Sequence, residues 1–115
     1  MALDNAVKKG TPLMTPNELM KRQANEEKLQ IIDTRSKKQY EKSSVEGAIH
    51  IPLTELRKKQ SELDKDLVTI TYCNKGVSGN AAQNILINKG FKEVYNLSGG
   101  NKNYQVIVEM ENHND

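Results

Sequence analysis

The chain has 115 residues, enough for one domain and hardly more. Its 17 basic and 15 acidic residues leave a formal charge of +2, too small and too evenly spread to argue for a nucleic-acid surface. The mean hydropathy of −0.74 and the lack of any apolar run of about 18 residues exclude a membrane-spanning helix, and the core has to be built with one Phe and no Trp.

Residues 1–10 read as an N-terminal extension, 11–110 as the domain and 111–115 as a polar tail. The extension has no apolar stretch of secretory type, and Cys73 is the only cysteine, so an intrachain disulfide and a cysteine-based zinc site are excluded by counting. A reducing cytoplasm is the expected compartment.

Thr15-Pro16-Asn17-Glu18 predicts a helix start. Thr15 is the N-cap, Pro16 suits the first helical position and Glu18 supplies a capping-box carboxylate. That helix runs to about residue 23 and turns Leu19 and Met20 inward. Residues 28–33 read as a short buried strand centred on Leu29, Ile31 and Ile32. Residues 36–42 form a second helical piece with an exposed lysine side. Residues 48–52 are a short strand, stopped by Pro52. Residues 54–60 are helical, with Leu53, Leu56 and Leu63 spaced near one and two turns.

Residues 67–72 give the clearest strand, β-branched and aromatic, running straight into Cys73. A glycine-containing loop leads to a helix over about residues 80–89, with Ala81, Ala82, Ile85 and Leu86 on one face and Gly90 as its stop. Residues 92–97 form a strand ended by Gly99-Gly100, and a last helix covers roughly 101–109. The alternation predicts an α/β fold with a mostly parallel sheet and helices on both faces. Ligands of such sheets bind at the carboxyl ends of the strands. Asp33, Cys73 and Ser98 each lie at or just past a strand end, so parallel strands would bring all three to one edge.

The chemistry-bearing segment is Cys73-Asn74-Lys75-Gly76-Val77-Ser78-Gly79. It places a thiol ahead of a helix N-terminus, where unbonded N–H groups and the helix dipole favour a thiolate. Gly76 and Gly79 allow torsions that turn successive N–H groups toward one point, forming an anion nest. Lys75 and the Ser78 hydroxyl can add charge and a donor. A structural reading stands beside this one, since a lone cysteine is often a small buried hydrophobe. Phosphoryl transfer would want a Cys-x5-Arg clamp, but Gly79 holds the arginine position and no arginine follows Arg57. A cysteine phosphatase is therefore disfavoured against sulfur transfer.

The ordered landmarks Ile31-Ile32-Asp33-Thr34-Arg35, Gln39-Tyr40, Gly47-Ala48-Ile49-His50-Ile51-Pro52-Leu53, Thr71-Tyr72-Cys73-Asn74-Lys75-Gly76, Gly90-Phe91 through Asn96-Leu97, and Gly99-Gly100 resemble a single-domain rhodanese, a sulfurtransferase. The resemblance covers about residues 13–104. It implies a rhodanese-like, five-stranded, mainly parallel sheet flanked by helices. It also implies Cys73 as persulfide carrier and Asn74, Lys75, Gly76, Val77, Ser78 and Gly79 as the substrate-binding loop. Persulfide transfer needs neither metal nor organic cofactor. The implied partners are a small-molecule sulfur donor, thiosulfate or another persulfide, and a thiol or cyanide acceptor, with a sulfur-relay protein as a further partner; no nucleic acid or membrane is implied. The family's loop commonly reads Cys-x-x-Gly-x-Arg-Ser, and here its last two positions are Ser78 and Gly79. The missing arginine removes the group expected to hold a dianion such as thiosulfate, and Lys75 replaces it only as a mobile point charge. A non-catalytic interaction or sulfur-carrier module is the alternative.

Asp33 and Arg35 have two readings. They order the loops around Cys73, or they cap the helix near Ser36 and form a surface ion pair. His50, between Ile49 and Ile51, faces away from both; with His113 the only other histidine, neither a metal role nor a general-base role is expected of it.

Overall fold

The computed structural model describes residues 12–75 and 77–112, with the side chains of 77–79 outside the description. In chain order the elements are β1 (Leu13–Met14), α1 (Pro16–Ala24), β2 (Leu29–Asp33), α2 (Lys37–Lys42), β3 (Ile49–His50), α3 (Leu53–Lys59) with a 3-10 turn (Gln60–Glu62), β4 (Val68–Tyr72), α4 (Val77–Asn88), β5 (Val94–Leu97) and α5 (Gly100–Asn112). The five strands form one sheet in the order β1-β5-β4-β2-β3, and every pairing is parallel. Parallel neighbours need a crossover between them, and each successive pair of strands is joined through a helix.

The period-two pattern of the strands sorts the core onto two faces. Ile31, Ile70, Tyr72 and Leu97 join Leu19 of α1 and Tyr104 of α5 on one side. Ile32 and Val94 join Leu56 of α3 and Ala82, Ile85 and Leu86 of α4 on the other. Burying each such Leu or Ile contributes roughly 1.5–3 kcal/mol.

Five local points differ from the expectations. β1 is absent from the sequence reading. Its two residues become a strand only by pairing with β5, with Asn96 N–H donating to the Pro12 carbonyl at 3.0 Å and Ser98 N–H to that of Met14 at 2.8 Å. Thr15 does cap α1, its hydroxyl accepting from Glu18 N–H at 3.1 Å, but the Glu18 carboxylate turns to Arg22. The capping box sits instead on α2, between Ser36 and Gln39. α4 begins at Val77, three residues before the predicted start. Ser78 and Gly79 are tolerated there because first-turn N–H groups have no intrahelical partner to lose. Its buried face is Ala82, Gln83, Ile85 and Leu86, and Ala81 is exposed. Gln83 belongs inside because its side-chain amide donates to the carbonyls of Pro12 at 2.9 Å and Val94 at 3.0 Å, tying α4 to β1 and β5. α5 continues to Asn112, beyond the predicted end at Glu109. The expected extension, residues 1–10, and positions 113–115 of the expected tail lie outside the described residues. No described helix is long and apolar enough to cross a membrane.

Candidate active site

The all-parallel sheet brings the ends of β2, β4 and β5 to one edge, where Asp33 is in register with Tyr72 and Cys73 and Ser98 follow their strands. Cys73 is 8% exposed and belongs to neither apolar cluster. Its backbone is fixed by α5: Asn101 N–H donates to the Cys73 carbonyl at 2.8 Å and Lys102 N–H to that of Asn74 at 3.0 Å. First-turn donors that a helix leaves unpaired are thus spent on the residues that open the loop. The approach requires Gly100. Its φ is +64°, and a Cβ there would stand 2.5 Å from the Cys73 carbonyl oxygen.

Of the predicted loop, Asn74 is half-buried and Lys75 exposed. Gly76 lies outside the described residues, as do the side chains of Val77, Ser78 and Gly79. The backbone of the last three is helical, so α4 starts four residues after Cys73 and its N-terminal dipole faces the same edge.

Asp33 and Arg35 do not make a surface pair; they are 0% and 7% exposed. Arg35 Nη2 donates to Asp33 Oδ2 at 2.7 Å, and Arg35 Nε and its backbone N–H donate to Oδ1 at 3.0 and 2.9 Å. Tyr72 Oη donates to Asp33 Oδ2 at 2.7 Å and accepts from Val45 N–H at 3.0 Å. Ser36 caps α2 by itself, so Asp33 is not the cap. Burial pulls the Arg35 guanidinium down, but its hydrogen bond to Asp33 and the carboxylate's charge outweigh burial and hold it above its ordinary value. Burial, then the bond to Asp33, push the Tyr72 phenol up.

The network extends toward Cys73. Arg35 Nη2 also donates to the Ser43 carbonyl at 2.6 Å, Ser43 Oγ accepts from Asn101 Nδ2 at 3.1 Å, and Asn101 N–H holds the Cys73 carbonyl. Tyr72, Ser43, Asn101 and Gly100 were all missed as site residues. Tyr72, next to Cys73, and Gly100, in the Gly99-Gly100 turn, carry a local signal; Ser43 and Asn101 join the site through contacts distant in sequence. His50 lies against Tyr40, ring centroids 4.8 Å apart, and its Nε2 is 2.7 Å from the Arg35 carbonyl, a positioning contact.

A cavity of about 350 Å³ opens beside the loop, lined in part by Arg35, Lys42, Asn74 and Lys102. A larger hollow of about 540 Å³ lies between α1, β2 and α5, bordered by Met20, Leu29, Ile31 and Tyr104, and none of residues 73–75 lines it. Among the described residues no three His, Cys, Asp or Glu side chains are grouped to hold a metal ion.

The profile of the rhodanese-like domain matches residues 15–106. The chain is 34% identical over 70 residues to the thiosulfate sulfurtransferase GlpE of Coxiella burnetii, covering 61% of this chain and 65% of that protein. It is 37% identical over 70 residues to the thiosulfate sulfurtransferase PspE of Escherichia coli, covering 59% and 67%. The chain thus spans slightly under two thirds of the Coxiella protein and about two thirds of the Escherichia one. Among solved structures it is similar to reduced Bacillus anthracis CoADR-RHD, with a TM-score of 0.80 and 28% identity over 92% of this chain and 18% of that one.

Proposed function

This chain belongs to the rhodanese-like domain family, and on that premise we propose that it transfers sulfane sulfur by way of a persulfide on Cys73. The observation that carries the reading is the placement of Cys73: at the end of central strand β4, ahead of the α4 N-terminus, with its carbonyl and that of Asn74 held by α5. Relatives that are thiosulfate sulfurtransferases support it.

In the first step the Cys73 thiolate attacks the sulfane sulfur of the donor. With thiosulfate, the S–S bond breaks and sulfite leaves with the bonding electron pair, so Cys73 carries a persulfide anion. In the second step a thiolate or cyanide attacks the outer sulfur, the new S–S bond breaks and the Cys73 thiolate returns. On this reading, backbone N–H groups where the loop opens at Asn74 and Lys75 hold the anion in both states, helped by the positive end of α4. Lys75 adds a mobile charge where an arginine would clamp a dianion, which makes thiosulfate a poor donor relative to a persulfide. Asp33 and Arg35 act as positioning residues through Ser43 and Asn101. Residues 11–110 form the working unit, and the reducing cytoplasm is its proposed setting.

Mass spectrometry of the purified chain after exposure to donor tests this. Wild type gains one sulfur atom, which a reductant removes, and Cys73→Ser gains none. Equal sulfur-transfer rates for the two proteins would take Cys73 out of the mechanism, and rates no higher than the uncatalysed background would leave a non-catalytic module on the same fold.

A further inference from the structure

We propose that Gln105 is a positioning residue for the Cys73 loop: from α5 it locks Asn101 against the segment Ser43–Val45 and so fixes the two peptide planes that follow Cys73. This goes beyond the sulfur-transfer reading above and rests on it only for its kinetic consequence.

In a trans peptide the carbonyl and the N–H of the next residue point opposite ways. Asn101 N–H holds the Cys73 carbonyl at 2.8 Å and Lys102 N–H holds that of Asn74 at 3.0 Å, so the N–H groups of Asn74 and Lys75 are turned away from α5. The plane before Cys73 is fixed from β2 instead. There Thr34 donates its N–H and its hydroxyl to the Tyr72 carbonyl, at 3.1 and 2.9 Å. The thiol-bearing residue thus sits between one plane held by the end of β2 and two held by α5.

α5 can hold these carbonyls only if its own first turn is held. Its buried residues are Gly100, Asn101 and Tyr104, so one apolar side chain anchors it deeply, and Val108 adds partial packing. Val106 and Met110 are exposed. The turn that leads into the helix is Gly99-Gly100, both at positive φ, and it has no side chains to stiffen it. The remaining ties are polar. Gln105 Nε2 donates to Asn101 Oδ1 at 3.0 Å and to the Ser44 carbonyl at 3.1 Å, and Asn101 Nδ2 donates to Ser43 Oγ at 3.1 Å. A Gln–Asn pair one turn apart is ordinarily a small contact within a helix. Here the second bond of the Gln105 amide leaves the helix and makes the pair a tertiary tie. It also fixes which end of the Asn101 amide faces Ser43.

The segment at the other end of the tie is firmly placed. Arg35 Nη2 donates to the Ser43 carbonyl at 2.6 Å, and Val45 N–H donates to Tyr72 Oη at 3.0 Å. Residues 43–45 are therefore pinned by the buried Asp33 network on one side and by Asn101 and Gln105 on the other.

Gln105→Met tests this, since it keeps length and helix preference and removes both donated bonds. The first measurement is amide hydrogen exchange on the full chain. Asn101 and Lys102, the donors to Cys73 and Asn74, should exchange roughly tenfold faster in the variant while the amides of β2 and β4 keep their protection. Unchanged protection at Asn101 and Lys102 overturns the proposal, and so does a uniform loss that includes β2 and β4, which is lost global stability. The second measurement is sulfur transfer from cysteine persulfide to cyanide. kcat should fall about threefold to tenfold with the donor KM unchanged, because the side chain acts on the loop and not on the donor. An unchanged kcat, or a loss carried by KM, overturns the positioning role; the latter would make Gln105 a contact of the bound donor. A wild type that transfers no sulfur sinks the sulfur-transfer reading, and the exchange result alone then decides whether Gln105 holds the loop.

Discussion

Arg22 on α1 reaches Glu18 at 3.0 Å and Glu27 at 3.1 Å at the surface, whereas Arg35 after β2 meets Asp33 at 2.7 Å with both groups buried. The contact distances are alike and the surroundings are not. Around Arg22, water competes for every charge and salt screens the pairs. Around Arg35, which is buried but borders the cavity beside the loop, the charge is met chiefly by Asp33 and the Ser43 carbonyl, with the Tyr72 ring 5.6 Å away. A pair of this kind adds little against a well-packed apolar substitute, but breaking it strands a charge without water. The difference sets how much each arginine can hold in place, and only Arg35 connects to the carbonyl of Cys73.

Removing the Asp33 charge should break the comparison most visibly. Asp33→Asn keeps the shape and leaves Arg35 buried without its counter-charge, a loss of about 3–5 kcal/mol. Calorimetry should record a fall in Tm of roughly 10–20 °C. Arg35→Met in the Asp33→Asn background should recover part of that, since it removes the stranded charge. A Tm change of only a degree or two in the single variant would mean that water reaches the pair.

Tyr72 sharpens the same contrast at intermediate size. Tyr72→Phe removes the donor to Asp33 Oδ2 and the acceptor of Val45 N–H, leaving that buried amide unsatisfied, at a cost of about 1–3 kcal/mol. The pH dependence has a definite sign. Burial and the bond to Asp33 raise the phenol's value in the folded state, so the neutral form is favoured there. That contribution is fully present below the ordinary tyrosine value of about 10 and is lost as pH climbs from there toward the folded value. Urea titrations across this range should show wild type losing stability in alkali and Tyr72→Phe losing less. Some alkaline loss persists in the variant because burial also raises Tyr104. Parallel alkaline limbs in the two proteins would show that Tyr72 does not titrate against folding.

Local patterning made β2, β4 and the Thr15 cap legible in the sequence, because alternation, β-branched content and cap chemistry are set within a few residues. The strand–helix alternation was also enough to put Asp33, Cys73 and Ser98 on one edge. Non-local contacts were not legible. Leu13-Met14 carries no strand signal and becomes β1 only beside Asn96 and Leu97. Gln83 looks like a surface residue until the Pro12 and Val94 carbonyls are seen to meet it. Asp33 and Arg35, two residues apart, look the same in sequence as an exposed pair; their burial depends on Tyr72 and on the segment from Ser43 to Val45, which packs over them. The clamp of Asn101 and Lys102 on Cys73 and Asn74 joins segments with no sequence signal beyond the Gly99-Gly100 turn.

Arg22→Ala provides the smallest effect and the control. The side chain of Arg22 is 24% exposed and its partners 51% and 38%, so each pair contributes about 0.2–1 kcal/mol in dilute buffer and less in salt. Its guanidinium also lies 5.6 Å from the centre of the Tyr95 ring, a contact that salt screens less than an exposed ion pair. The difference in Tm between wild type and Arg22→Ala should therefore be a few degrees at low ionic strength and shrink, without vanishing, as salt is added. The Asp33→Asn deficit arises where both partners are buried, so it should change much less over the same series. If the two deficits fell together with salt, burial would not be what separates these arginines, and the special reach of Arg35 toward Cys73 would lose its physical basis.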